Sequence, residues 1–312
     1  MLIKEKYMNT DKKVAIVVVT YNRLKLLLQA IDALLKQTYT NADILIINNA
    51  STDETEETLK PYAQRGDILY FNTGKNLGGA GGFNFGLRTA YEQGYDYYWM
   101  MDDDSIPTPT ALAEMMKADE ALKGQYSYLA SYVFWKDGSP CKMNAPRIAD
   151  DWINDAALAE KGVMRIQKST FVGFFTKKDI VEKVGLPIKE FFIWSDDTNY
   201  CWRCNEVAPG YLVVDSKVEH RIVSNVNADI ITDDTDRLAR YVYAFRNRYY
   251  NYRMVGSAKN YKIYVFKKFM KILTKSKNQK WKRIRVMMKG VRAGKHFNPP
   301  IEYVTKREKV KS

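Results

Sequence analysis

At 312 residues, 46% apolar and 13% aromatic, the chain can bury one large core plus an extension, and no apolar run approaches the roughly 20 residues of a membrane span. Cys141, Cys201 and Cys204 are the only cysteines, which fits a disulfide-free fold, and the start Met1-Leu2-Ile3-Lys4-Glu5-Lys6 lacks a secretory apolar stretch, so a cytoplasmic location is expected. The net charge of +13 is lopsided: residues 261–312 hold 17 Lys and Arg against Glu302 and Glu308, net +15, which leaves −2 for residues 1–260.

Val14-Ala15-Ile16-Val17-Val18-Val19 is an unbroken apolar run, the pattern of a strand buried on both faces in a parallel sheet. It ends at Thr20-Tyr21-Asn22-Arg23, after which Leu24, Leu27, Leu28, Ile31, Leu34 and Leu35 predict a helix over 24–36. A second strand, Asp43 to Ile47, stops at Asn48-Asn49-Ala50-Ser51, and Ser51-Thr52-Asp53-Glu54 supplies N-caps for a helix to about Ala63. A third strand, Ile68 to Phe71, leads into the loop Gly74-Lys75-Asn76-Leu77-Gly78-Gly79-Ala80-Gly81-Gly82 and a helix to about Tyr91. The fourth, from Tyr95 to Met101, ends at Asp102-Asp103-Asp104. Such alternation implies right-handed crossovers and a parallel α/β sheet whose loops gather at the carboxyl edge, where open sheets bind ligands.

Past the aspartates the pattern weakens. Ser169 to Thr176 reads as a strand, Lys178 to Val184 as a short helix, and Glu190-Phe191-Phe192-Ile193-Trp194 as an apolar approach to Ser195-Asp196-Asp197. Thr198 to Asn205 reads as a helix with both acids near its positive end, and Tyr211 to Val214 as a strand followed by His220. Residues 1–11 form an N-terminal extension, 12–230 one α/β domain, and 231–312 a helical basic C-terminal region, with Gly256-Ser257-Ala258-Lys259-Asn260 the best break before the basic tail.

Three consecutive carboxylates at the exit of a buried strand repel one another and resist desolvation, and Mg²⁺ or Mn²⁺ is the usual counter-charge for such oxygens. A solvated acidic turn is the plainer alternative. The glycine loop fails as a dinucleotide fingerprint, because Asn84 stands where the third glycine of G-x-G-x-x-G belongs. It is either a flexible turn or a source of backbone N–H groups for a phosphate or sugar. Cys201-Trp202-Arg203-Cys204 lacks the second cysteine pair that zinc would need.

Taken together, Thr20-Tyr21-Asn22-Arg23, Asn48-Asn49-Ala50-Ser51-Thr52-Asp53, Asn76-Leu77-Gly78-Gly79-Ala80-Gly81-Gly82-Phe83, the aspartate triplet, Trp194-Ser195-Asp196-Asp197 and His220 resemble the inverting family 2 glycosyltransferases. Order and spacing match over roughly residues 12–225, and the glycine loop and Trp-x-Asp-Asp element look most like the bacterial galactofuranosyltransferases. The resemblance implies a GT-A nucleotide-sugar transferase fold, Rossmann-like with a mostly parallel sheet and flanking helices, plus a basic helical C-terminal extension. It implies transfer of galactofuranose from a UDP-sugar to a glycan or lipid-linked glycan, with a rhamnosyl or other hexosyl transferase, or a non-catalytic assembly factor, as rivals. Thr20, Arg23, Asn49, Asn76, Gly78, Gly79, Asp102, Asp103 and Trp194 are then implied to hold the nucleotide sugar, and Asp102, Asp104 and His220 a metal. Asp197 corresponds to the catalytic base and Asp196 to a group orienting the acceptor. An imidazole ligand favours Mn²⁺ over Mg²⁺.

In the tail, Tyr261, Val265, Phe269, Ile272 and Leu273 recur at helical spacing opposite Lys267, Lys268, Lys271 and Lys275, and Trp281, Ile284, Met288 and Val291 continue the pattern. A basic amphipathic helix lies naturally on an anionic membrane surface, so peripheral attachment at the inner face is expected; packing on the catalytic domain is the alternative. The balanced body and the absence of nucleic-acid motifs argue against a nucleic-acid partner. A homo-oligomer is an open partner class.

Overall fold

The computed structural model describes residues 12–233 and 236–304. In the first half β1 (Val14–Thr20), α1 (Leu24–Leu35), β2 (Ala42–Asn48), α2 (Thr55–Gln64), β3 (Leu69–Asn72), α3 (Gly78–Glu92) and β4 (Tyr97–Asp102) alternate as expected. Their four strands lie parallel in the order β3-β2-β1-β4. Every residue of β1 is buried. Ile16 and Val18 face one apolar cluster with Leu27, Ile31 and Trp99, whereas Ala15, Val17 and Val19 face another with Phe83, Leu87 and Tyr98. The unbroken apolar run is therefore the two-sided burial of a central strand.

Periodicity is silent between the triplet and Ser169, and there the chain builds β5 (Ser105–Pro107), α4 (Ala111–Ala121), β6 (Tyr128–Phe134), β7 (Arg147–Ile148), α5 (Ala156–Ala159) and β8 (Val163–Lys168). β9 (Phe174–Lys177), α6 (Lys178–Val184), α7 (Asp196–Asn205) and β10 (Gly210–His220) follow. β9 inserts antiparallel between β4 and β6, β10 runs parallel to β6, and β8, β7 and β5 add antiparallel pairs. The second half of the sheet is thus mixed. β10 outruns the expected Tyr211 to Val214 because a register shift between Val213 and Lys217 carries pairing past residues 214–216, leaving His220 as its last residue.

α3 begins at Gly78, so Gly79, Gly81 and Gly82 are helical rather than loop residues. Glycine weakens a helix by about 1 kcal/mol relative to alanine, yet here packing overrides propensity. A Cβ on Gly82 would sit 2.5 Å from Val19 Cγ1, and one on Gly86 2.5 Å from Val17 Cγ1. Only a smooth face lets α3 lie this close to β1 and β2.

The C-terminal region forms α8 (Tyr241–Met254), α9 (Ala258–Lys275) and α10 (Lys280–His296). Gly290 and Gly294 of α10 lie against Val242, Phe245 and Tyr249 of α8, where a methyl group would approach to 2.6–2.9 Å. Tyr261 and Ile272 are buried, and Val265, Phe269, Ile284 and Val291 pack around a cluster that includes Ile272, Phe245 and Met287. The apolar stripe read as membrane-facing is thus largely spent on helix–helix packing. Bonds also cross the expected boundary at residue 230: Glu302 pairs with Arg88 and Lys189, and its carbonyl accepts from the Leu186 N–H.

Candidate functional site

Parallel register sets Thr20 beside Asn48 and Val19 beside Asp102, while the antiparallel β5–β10 pair sets Ser105 opposite His220. The triplet and the histidine thereby meet although Asp104 and His220 stand 116 positions apart. Asp102, Asp104 and His220 each offer a ligand atom, and these atoms lie within 4.8 Å of one another. His220 Nε2 is 3.1 Å from Asp104 Oδ1, and its Nδ1 is 2.7 Å from Asn144 Oδ1. In the neutral ring, Nδ1–H donated to Asn144 leaves the Nε2 lone pair on the carboxylate side, the arrangement a metal-ligating histidine needs. Two carboxylates and an imidazole suit a divalent cation.

The electrostatics point the same way. Burial pushes Asp103 up to about 7 against the attraction of Arg23 and the Thr20 hydroxyl. Burial, then Asp104, raises Asp102 as well. Asp104 is held low: burial opposes its charge, but His220 and Arg23 outweigh that cost. Hydrogen bonds to Asp104 and Cys141 and the charges of Asp104 and Asp102 overcome desolvation at His220 and lift it to about 10. Three crowded acids thus share one imidazolium and one guanidinium, a site with an outstanding demand for positive charge.

The residues assigned to the nucleotide sugar divide into two groups. Thr20 is buried and donates to Asp103 Oδ2 at 2.7 Å, and Asn49 is buried and donates to the Gly78 carbonyl at 3.0 Å. Both are engaged within the protein, steadying the triplet and the start of α3. Asn76 Oδ1 accepts from the Gly78 N–H at 2.8 Å, while Gly79 has open space around it. Arg23 is half exposed and bonds Asp104 Oδ2 at 2.5 Å and Asp103 Oδ1 at 3.4 Å.

Asp196 and Asp197 open α7 from a strained approach, with Phe192, Trp194 and Ser195 at φ of 63°, 66° and 67°. Such conformations cost non-glycine residues of order 1–3 kcal/mol each and persist only where surrounding contacts impose them. Asp196 is buried, and Asp197 is more accessible. Both carboxyls are raised, chiefly by burial, with Asp197 further disfavouring the charge on Asp196. Thr198 donates to Asp197 Oδ1 from its N–H at 2.5 Å and its hydroxyl at 3.2 Å. Both of these bonds fall on Oδ1. The Trp194 ring packs on Tyr241 with centroids 4.9 Å apart, so part of its aromatic surface is already committed.

Sequence reasoning missed Asn144, which orients His220, and Asn247 and Asn251 on α8, which bond the backbone before Asp196. None belongs to a motif, and each acts on residues 50 or more positions away. The cysteines are free and buried, with Cys201 and Cys204 in the apolar cluster beneath α3.

The model of the glycosyl transferase family 2 domain matches residues 15–177. Galactofuranosyltransferase GlfT1 of Mycolicibacterium smegmatis is 25% identical over 206 residues, 61% of this chain and 64% of that protein. Among solved structures, S. aureus TarS is similar with a TM-score of 0.55 at 12% identity, over 91% of this chain and 44% of that one. GalNAc-T7 with UDP, GalNAc and Mn²⁺ is similar with a TM-score of 0.58 at 15% identity, over 77% of this chain and 50% of that one. The chain thus spans less than two thirds of the length of these relatives.

Proposed function

Because the chain belongs to glycosyl transferase family 2 and has the GT-A fold, we propose that it transfers galactofuranose from UDP-galactofuranose to a glycan acceptor with inversion. The observation that carries this reading is the Asp102–Asp104–His220 cluster, near enough to the raised Asp196–Asp197 pair that Asp102 also disfavours charge on Asp196. The likeness to GlfT1 supports the choice of sugar, and GalNAc-T7, solved with UDP and Mn²⁺, supports the kind of donor and ion.

A divalent cation held by Asp102, Asp104 and His220 would neutralise the diphosphate as it leaves. Arg23 turns from Asp104 to the same phosphates. Asp197 takes the proton of the acceptor hydroxyl as that oxygen bonds to the anomeric carbon and the bond to the diphosphate breaks on the opposite face. A base works best when its pKa lies near the working pH, and burial raises Asp197 in that direction. Asp196, deeper and also raised by burial, orients the acceptor.

Incubating the protein with a panel of nucleotide sugars, Mn²⁺ and a glycan acceptor, and measuring released nucleotide, tests this. UDP-galactofuranose should give the highest rate; preference for another donor rejects the sugar, and no release from any donor rejects the activity.

The C-terminal helices supply contact with an anionic membrane surface at the cytoplasmic face. Support comes from Ile263, Phe266, Met270 and Trp281, which remain exposed among lysines after the inner stripe has packed; Phe266 is 63% and Trp281 74% exposed. Each nearby Lys or Arg contributes roughly 1 kcal/mol at an anionic surface. Replacing Phe266 and Trp281 by Glu should abolish co-sedimentation with anionic vesicles, and unchanged sedimentation refutes the attachment.

A further inference from the structure

The approach to the catalytic pair is held from outside the sheet. Each backbone carbonyl from Glu190 to Ser195 has a donor, and five of those six are bonded by side chains of α8. Arg246 Nη2 donates to Glu190 and Phe191, at 2.6 and 3.2 Å. Asn247 Nδ2 lies 2.9 Å from the Phe191 carbonyl, 3.0 Å from that of Ile193 and 2.9 Å from that of Trp194. Asn251 Nδ2 donates to the Ser195 carbonyl at 2.9 Å. The sixth carbonyl, that of Phe192, accepts from the Ala80 N–H of α3 at 3.2 Å.

Both asparagines are buried, Asn247 completely. Their acceptor oxygens are engaged too: Arg246 Nε donates to Asn247 Oδ1 at 2.9 Å, and Asn199 Nδ2 to Asn251 Oδ1 at 2.9 Å. Asn199 Oδ1 in turn accepts from Arg203 Nε within α7 at 3.0 Å. A continuous polar chain therefore runs from α8 through the positive-φ residues Trp194 and Ser195 into the helix that opens with Asp196 and Asp197. Asparagines four apart on a helix lie on one face, and here that face is a ladder of amide donors matched to a ladder of carbonyls. A buried amide with this many partners fixes backbone geometry more tightly than apolar packing does.

We infer that Asn247 and Asn251 are positioning residues for sugar transfer: they hold residues 191–195 in the conformation that aims Asp197 at the acceptor, and so make the C-terminal helical region part of the catalytic apparatus. The inference rests on the glycosyltransferase reading above.

The test compares Asn247→Ala and Asn251→Ala with Arg253→Ala in the full-length protein. Arg253 Nη2 bonds the Phe297 carbonyl just past α10, so its loss removes a contact of α8 that makes no hydrogen bond to residues 190–195. Misplacement of a reacting group by about 1 Å costs on the order of 10²-fold in rate. Both asparagine variants should lose about that factor in kcat while the KM for the donor and calorimetric binding of UDP with Mn²⁺ stay within twofold of wild type. Arg253→Ala should unfold at a lower temperature yet keep its kcat. Wild-type kcat in Asn247→Ala, or a loss in Arg253→Ala equal to that of the asparagine variants, overturns the positioning role while leaving the activity intact. Wild-type protein that turns over no nucleotide sugar overturns the glycosyltransferase reading, and this inference with it.

Discussion

Gly78→Ala and Gly79→Ala, one residue apart, should behave in opposite ways. Gly78 has φ +70°, and a Cβ there would lie 2.2 Å from the Phe192 carbonyl oxygen and 2.7 Å from Phe192 Cδ2. Ordinary contact between such atoms needs more than 3 Å, so either α3 or the 191–195 segment must move by about 1 Å. Neither can yield freely: Ala80 N–H bonds the Phe192 carbonyl, and Asn247 bonds the carbonyls on both sides of it. The left-handed conformation costs alanine about 1–2 kcal/mol and overpacking another 1–3 kcal/mol, about 2–5 kcal/mol together. For a chain of this size that lowers Tm by roughly 3–8 °C. Because the displaced segment leads into Asp196 and Asp197, kcat should also fall, on the order of 10²-fold. Gly79 has nothing within 4 Å of its missing Cβ, and alanine there should hold Tm or raise it slightly. Thermal unfolding and steady-state kinetics on the two variants provide the check; a Gly78→Ala protein with wild-type Tm and kcat would refute the reasoning.

Asp197→Asn should lower turnover by about 10²–10⁴-fold with UDP and Mn²⁺ binding unchanged by calorimetry, because the amide keeps the shape but takes no proton; near-normal turnover excludes Asp197 as the base. Asn144→Ala, which frees the His220 ring, should weaken Mn²⁺-dependent UDP binding by about 10–100-fold, and His220→Ala should weaken it further. Equal affinity in both variants and wild type would remove His220 from the metal site. Asp196 has a folded pKa above its unfolded value, so its contribution to stability is present in acid and lost as pH rises past about 4. Asp196→Asn should therefore raise Tm at pH 8 and not at pH 4, and a gain independent of pH contradicts the burial argument.

Local signals sufficed where one segment carries its own pattern. The apolar run 14–19 carried the pattern of a strand covered on both faces, and the triplet at the end of a buried strand pointed to a cluster compatible with a divalent cation. The start of α3 was misplaced because helix propensity opposes a glycine cluster; the gain from laying Gly82 and Gly86 on Val19 and Val17 comes from β1, which propensity does not see. Residues 105–168 stayed unassigned because their strands are short and pair with partners far along the chain.

The tail shows the division most clearly. Sequence determines that it is helical, amphipathic and strongly basic, since periodicity and charge are properties of the segment itself. Which apolar side chains remain outside is settled by α8 and α10, which cover Tyr261 and Ile272 and leave Phe266 and Trp281 in solvent. So too at the candidate site: the order of motifs along the chain names the acids and the histidine. The tertiary structure decides that Asn144 turns His220 and that Asn247 grips the approach to Asp197. A hydrogen bond between segments far apart leaves no period or spacing in the sequence, and only the folded chain brings its two ends together.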